Sequence, residues 1–397
     1  MKRLRQVTVN RVYRPRHFAF LERAMQRRVH KEDKTFSMPE LRKVEIEHYL
    51  KSIAGQSARI INLTVLGKSG GSDLKGYGYG TPLLIDYEAD GNARRAVLHT
   101  VTAGPFGHEH MSDRAQSLLW DHSAFNRLPR HVRSIDVGAF RHDGRAVSLG
   151  DADEFFVLTE YAEGRGYVED LTRMKDDPML TNADIARADA LCDYLVQIHS
   201  VKGNEPGLYV RRSRELVGHS ECIMGLIDSY PPQMDGVSVT LLEIERRCVD
   251  WRWRLKNRVN RLSQVHGDFH PWNILFGEGS NFTLLDRSRG EWGDPADDVS
   301  CITMNYVFFS LQRSGRLDHN FESLFLRFWD RYLTKSGDRE MLQVVAPFFA
   351  FRVLVMAHPV WYPKLAKSVR QKLFDFMIAV LNSERFDPDD VNRYCSA

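Results

Sequence analysis

Cysteine is scarce and scattered in this chain of 397 residues. Cys192, Cys222, Cys248, Cys301 and Cys395 form no Cys-x-x-Cys pair, which argues against both a disulfide framework and a zinc knuckle. Long apolar runs are missing as well. The longest, residues 346–351 and 353–357, are separated by Arg352 and too short to span a bilayer, so no membrane contact is expected. The basic N-terminus (Lys2, Arg3, Arg5, Arg11, Arg14, Arg16) lacks the apolar core and cleavage site of a secretory leader, which points to a cytoplasmic protein. A net charge of +3 is too small to argue for a nucleic-acid partner. There are no internal repeats and no low-complexity tracts, and the length suits roughly two domains of about 150 residues each.

What is present changes character along the chain. Residues 1–36 are polar and basic, with a short helix expected over 16–30, and read as a loosely held terminus or a docking arm. Ser37-Met38-Pro39-Glu40 is a capping box that predicts a helix over 39–54. From Ile60 the period shortens to two: Ile61, Leu63 and Val65 alternate, a glycine-rich segment follows over 67–80, and two further runs, 83–87 and 95–101, meet at Ala89-Asp90-Gly91-Asn92. A helix over 109–125 and apolar strands over 132–140 and 155–160 complete a small sheet with one helix against it. Beyond residue 161 the pattern is mainly helical, with Thr181-Asn182-Ala183-Asp184 opening one helix, 203–262 mostly helical, and a Phe-, Trp- and Tyr-rich helical region after Asp298.

Between these helical stretches stands His266-Gly267-Asp268-Phe269-His270-Pro271-Trp272-Asn273, followed by Leu284-Leu285-Asp286 and Gly293-Asp294-Pro295. An Asp, an Asn five residues on and a second Asp beyond are the oxygen donors that metal-assisted phosphoryl transfer requires: one carboxylate to orient and deprotonate a hydroxyl, an amide and a carboxylate to hold Mg²⁺ on nucleotide phosphates. Two other readings of the same letters compete. His266, Asp268 and His270 could ligate a transition metal from one face of a strand, but Pro271-Trp272-Asn273 breaks such a strand and Asp286 goes unexplained. The run could also be a plain turn whose polar residues cap backbone groups, which the coincidence of so many letters opposes.

The run resembles the catalytic loop of the aminoglycoside phosphotransferase and choline kinase family, the small-molecule branch of the protein-kinase-like fold, which reads approximately H-G-D-x-H-x-x-N, then an apolar strand ending in Asp, then G-D-P-x-x-D. Every one of those letters is present from His266 to Asp298. The resemblance implies an α+β, two-lobed fold: a nucleotide-binding lobe over 37–160 with a small antiparallel sheet, a hinge at 161–164, and a helical lobe over 165–390. It implies ATP and Mg²⁺, with Asp268 as catalytic base, His270 where protein kinases carry a lysine, and Asn273 and Asp286 on the metal. It further implies that His266 organises the loop, that Asp298 ties down the loop backbone, and that Asp294 serves a turn. Glu160 and Ala162 would offer backbone groups to the adenine. The acceptor implied is a hydroxyl of a small molecule such as a sugar, an amino alcohol or an antibiotic.

One element of the family pattern is missing. The third strand should end in a lysine for the α- and β-phosphates, and this chain has Ala96-Val97-Leu98-His99. His99 could serve if an acid such as Glu109 or Asp113 keeps it protonated, or Lys68 or Lys75 could reach in from the glycine-rich segment, where Gly67, Gly70 and Gly71 let backbone N–H groups approach phosphate. A third reading, binding without turnover, makes the chain a nucleotide-binding pseudokinase acting through a protein partner. On the acceptor side, Arg313, Arg316, Arg327, Arg352, Trp329, Trp361 and Tyr362 are expected instead of the acidic lining a polycation would want. Arg287 and Arg289 could meet phosphate, and the cluster Arg246-Arg247 with 251–258 is either a solvated helix face or a contact for an anion.

Overall fold

The computed structural model describes residues 42–66, 80, 82–104, 107–177, 179–231 and 240–396. The chain divides between Leu158 and Thr159 into two compact units. The class is α+β.

In the first unit, α1 (Lys43–Ala54) turns Ile46 and Leu50 onto an antiparallel sheet of β1 (Arg59–Val65), β2 (Leu83–Ala89) and β3 (Asn92–Leu98), burying Ile60, Ile85 and Tyr87 between them. The β2–β3 hairpin closes on Asp90 and Gly91, both with positive φ (52° and 73°), the turn whose twist matches that of paired strands. Ala96 and Leu98 pack on this core, so Arg95 and Val97 lie on the opposite face of β3. After α2 (Met111–Phe125), which Asp113 caps by accepting from the His110 amide at 2.8 Å, β4 (Gly138–Phe140) and β5 (Ala146–Ser148) pair only with each other.

Two expectations need correction here. The run 132–140 yields a strand only over its last three residues, in a separate ribbon. The run 155–160 forms no strand: no sheet edge receives it, and Phe156 is 92% exposed. An apolar run becomes a strand only where a paired edge and a buried face exist for it. The helix expected over 16–30, the capping box at Ser37 and the glycine-rich residues 67–79 lie outside the described residues.

In the second unit a short sheet is framed by helices. β6 (Arg165–Gly166) leads into α3 (Tyr167–Asp176); the chain then forms α4 (Asn182–His199), α5 (Pro206–Gly218), α6 (Ile223–Ser229) and α7 (Leu241–Leu255). Thr181 and Asp184 cap α4 reciprocally, as their spacing predicts. Next come β7 (Ser263–Gln264), β8 (Ile274–Phe276), β9 (Phe282–Leu284) and β10 (Trp292–Gly293), arranged as β6-β8-β9 and β10-β7. Gly164 admits β6 to this sheet: its φ is +150°, and a Cβ there would stand 2.9 Å from that of Leu275.

The remaining helices are α8 (Ala296–Ser314), α9 (His319–Ser336), α10 (Met341–Val344), α11 (Ala346–Met356), α12 (Lys367–Asn382) and α13 (Val391–Tyr394). α8 is buried on nearly all sides, the position of a central helix. Phe325, Trp329, Phe349 and Phe376 build the core around α9, α11 and α12. The five cysteines are free and buried. Among the described residues no helix is long and apolar enough to cross a membrane.

Candidate active site

The loop between β7 and β8 is irregular, and its shape is imposed by partners from outside it. Asp298, near the start of α8, accepts from the amides of His266 (2.8 Å) and Gly267 (2.7 Å). The same carboxylate meets Nε2 of His199 at 3.1 Å, and His199 Nδ1 lies 2.7 Å from the Tyr332 hydroxyl. Burial pushes the Asp298 carboxyl up, but His199 and the His266 amide outweigh it and hold it below its ordinary value. Gly267 takes φ +86°, which lets the backbone turn between two fixed points.

The two loop histidines are committed by hydrogen bonds. His266 Nδ1 accepts from the Asp268 amide at 3.2 Å while its Nε2 faces the Leu285 carbonyl at 3.0 Å. Burial lowers the His266 pKa, so this ring is neutral, with its proton on Nε2 toward Leu285. His270 Nδ1 likewise accepts from the Trp272 amide at 3.2 Å, which aims Nε2 at Asp268 Oδ2, 3.5 Å away. A transition-metal site on these histidines is therefore disfavoured, and among the described residues no cluster of three or more His, Cys, Asp or Glu is disposed to hold a metal.

Asp268 sits at the centre. Its Oδ1 accepts from Arg352 Nη1 at 2.6 Å, a partner from the middle of α11. Arg352 is 4% exposed, and its other Nη donates to the Gly267 carbonyl and to Asp297. Burial raises the Asp268 carboxyl pKa, but His270, Arg352 and Arg289 together bring it well below the usual carboxylate range. Burial pushes Asp297 the other way, up, despite Arg352 and Arg289. Asp268 is thus ionised at neutral pH, with Oδ1 claimed and Oδ2 turned to His270.

Asn273 and Asp286 are joined to this loop through the backbone. Asn273 Nδ2 donates to the Asp268 carbonyl at 3.1 Å, which leaves its amide oxygen free of that bond, and the Leu285 amide donates to the Asn273 carbonyl at 2.9 Å, setting Asp286 beside it. Asp286 is left-handed (φ 51°), exposed, and accepts from the Ser288 amide through Oδ1. An amide oxygen and a carboxylate oxygen are what a hard cation shared with phosphates would use, so these residues fit Mg²⁺.

The other expected residues fall elsewhere. Glu160 and Ala162 lie in the segment without regular secondary structure that precedes β6. His99 belongs to the first unit, exposed just after β3. Gly67, Lys68, Gly70, Gly71 and Lys75 are outside the described residues. On the acceptor side, Trp329 is part of the core, 1% exposed, and Arg327 is spent on both oxygens of Asp189. Trp329 cannot meet a ligand, and the Arg327 fork is already occupied by a carboxylate. In the cluster at 246–258 Trp251 is buried, bonding the Leu381 carbonyl, while Arg252 and Lys256 cover exposed Trp253.

Two residues stand out only in three dimensions. Arg352 reaches Asp268 across 84 positions of sequence. Arg261 forks onto Asp294 (2.9 Å twice) and Asp338, and Tyr209 donates to Asp294 at 2.7 Å. Asp294 does cap the Ala296 amide, but its larger partner is this buried arginine, for which no local pattern exists.

The model of the phosphotransferase enzyme family matches residues 122–336, more than half of the chain. Similar solved structures include a glucosamine kinase in complex with glucosamine, ADP and inorganic phosphate (16% identity, 58% of this chain and 57% of that one, TM-score 0.31). Others are an ethanolamine kinase of Plasmodium vivax (12%, 94% and 93%, 0.32) and an amicoumacin kinase in complex with AMP-PNP, Ca²⁺ and Ami (14%, 83% and 91%, 0.39). The match spans a little over half the length of the glucosamine kinase. No curated protein gives a significant match in sequence.

Proposed function

The chain belongs to the phosphotransferase enzyme family, and from that premise we propose that it transfers the γ-phosphoryl group of ATP to a hydroxyl of a small molecule. The observation that carries this reading is Asp268: an ionised, mostly buried carboxylate with one oxygen pinned by Arg352, in a loop that also sets Asn273 beside Asp286. Oδ2 of Asp268 takes the proton of the acceptor hydroxyl as the new O–P bond forms and the bond from the γ-phosphorus to the ADP oxygen breaks. His270, on that same oxygen, orients it. Asn273 and Asp286 would hold Mg²⁺, which when bound offsets charge on the phosphates. Release of ADP from Mg-ATP across a panel of hydroxyl acceptors tests the reading; binding of nucleotide with no acceptor-dependent release would instead favour a nucleotide-responsive binding module.

Asp286→Ala is expected to abolish the tightening of ATP binding by Mg²⁺, because the only carboxylate in the proposed pair is lost. Calorimetric titration of ATP with and without the metal checks this, and a mutant that binds Mg-ATP like the parent places the metal elsewhere.

The missing lysine yields a second test. If His99 acts as the phosphate clamp, His99→Gln is the severe change in kcat/KM for ATP. If the charge has moved into the glycine-rich segment, Lys68→Met or Lys75→Met is severe and His99→Gln mild. The kcat/KM for ATP in the three variants separates these cases, and full activity in all three excludes both.

A further inference from the structure

We propose that the acceptor phosphorylated beside Asp268 is an anion, a hydroxyl compound carrying a carboxylate or phosphate group, which Arg289 holds with the help of Arg352. The proposal rests on the phosphotransferase reading above and adds the chemical class of its substrate.

Arg289 follows Asp286 by three positions, in the turn that leads to β10. Its guanidinium stacks on the Phe351 ring with Cζ 4.3 Å from the centroid, and its Cβ lies 3.1 Å from where a side chain on Gly267 would begin. That places the side chain flat against the catalytic loop. It has no hydrogen-bond or ion-pair partner among the described residues. A stacked, half-buried guanidinium with its donors unspent is a binding group for a flat or tetrahedral oxyanion.

Arg352 shares the same ring, with Cζ 4.6 Å from the Phe351 centroid. Its Nε is buried and unpartnered although both Nη atoms are engaged. Two guanidiniums on one phenyl ring would repel unless anions lie between or beside them. The carboxylates at hand are already allotted: Asp268 and Asp297 to Arg352, Glu215 to Arg211 and Arg212. The Cys222 sulfur, at the start of α6, lies within electrostatic reach of Arg289, Asp297, Arg352 and Glu215, so these groups converge on one place. Arg212 adds a further cation there, its Nη2 against Gly290. Arg289 lies within electrostatic reach of Asp268 and Asp297 but hydrogen-bonds to neither, so its donors are the ones left over.

The side of the loop matters. Arg289 is carried against α11 and α6, whereas Asn273 and Asp286 adjoin β8 and β9. A charge placed there addresses the acceptor. A cationic amino sugar or quaternary amine would meet it with repulsion; an anion close to the reacting hydroxyl would be steered onto Oδ2 of Asp268.

The test compares ADP release by the full chain with Mg-ATP and four acceptors: glycerate and glycerol 3-phosphate against glycerol and ethanolamine. At least one anion is expected to exceed both uncharged and cationic acceptors in kcat/KM by roughly 10² or more, since an analogue that leaves the site's donors unpaired is rejected, up to about 10⁴–10⁵ where those donors are fully buried. Which anion leads distinguishes carboxylate from phosphate. Arg289→Met should erase that advantage, and Arg289→Lys should restore part of it, since a point charge lacks the fork. Calorimetric binding of the same compounds to the chain with Mg-AMP-PNP keeps the question open to decision if none is phosphorylated. Binding of neither anion overturns the proposal, as does an advantage unchanged in Arg289→Met or equal turnover of glycerol or ethanolamine. If ADP release proceeds unaltered in Asp268→Asn, the phosphotransferase reading fails first and takes this inference with it.

Discussion

Replacement of Asp268 by asparagine is expected to lower kcat by at least about 10²-fold, the lower end of what a positioned general base contributes, with little change in Mg-ATP affinity. The side chain keeps its size and can still accept a hydrogen bond from Arg352, so the loop persists while the proton acceptor is gone. The expected signature is therefore a loss in kcat without a matching rise in KM for ATP. Steady-state kinetics with the best acceptor of the panel reads it directly. Near-normal turnover would show that proton removal is not performed by this carboxylate.

Arg352→Met is expected to cost about 3–5 kcal/mol of folding stability, because it strands two mostly buried carboxylates, Asp268 and Asp297, without their common counter-charge. Arg352→Lys keeps the charge but not the fork and should fall between. Chemical denaturation at pH 7 measures both, and a methionine variant as stable as the parent would rule out the ion pairs as structural. The pH dependence has a definite sign. The Asp268 pKa in the folded chain lies below its ordinary value, so its contribution to stability is present above the unfolded carboxylate pKa and is lost as pH falls through the depressed folded one. Without Arg352 one of the groups that lower it is gone while His270 and Arg289 remain, so the Asp268 pKa rises toward its ordinary value and the acid limb of kcat/KM moves to higher pH.

How much of this was legible in the sequence depends on how local each constraint is. The loop from His266 to Asn273, the Asp286 strand end and the Asp298 anchor are read from contiguous letters, because each residue there answers a need of its own neighbours. The hairpin at Asp90-Gly91 and the cap at Thr181 are equally local, since turn dihedrals and orphan amides are set within four residues. In the sequence Arg352 is one more arginine in an aromatic helical region and Arg261 carries no local pattern; both are defined by partners far away in sequence. Composition also misled at Trp329, where an aromatic residue suited to a binding surface is core instead. At 155–160 the sequence shows an apolar run suited to a strand but not the edge that must receive it.

The reach of Arg352 also sets an order of assembly. During synthesis the loop bearing Asp268 leaves the ribosome well before α11 does, so a nascent chain holds a carboxylate headed for burial while its counter-ion is still unmade. Until Arg352 emerges, folding this loop into the interior opposes the charge, and water remains the cheaper environment for it. The centre of the second unit is consequently among the last parts to close, and it closes when a C-terminal helix docks behind it.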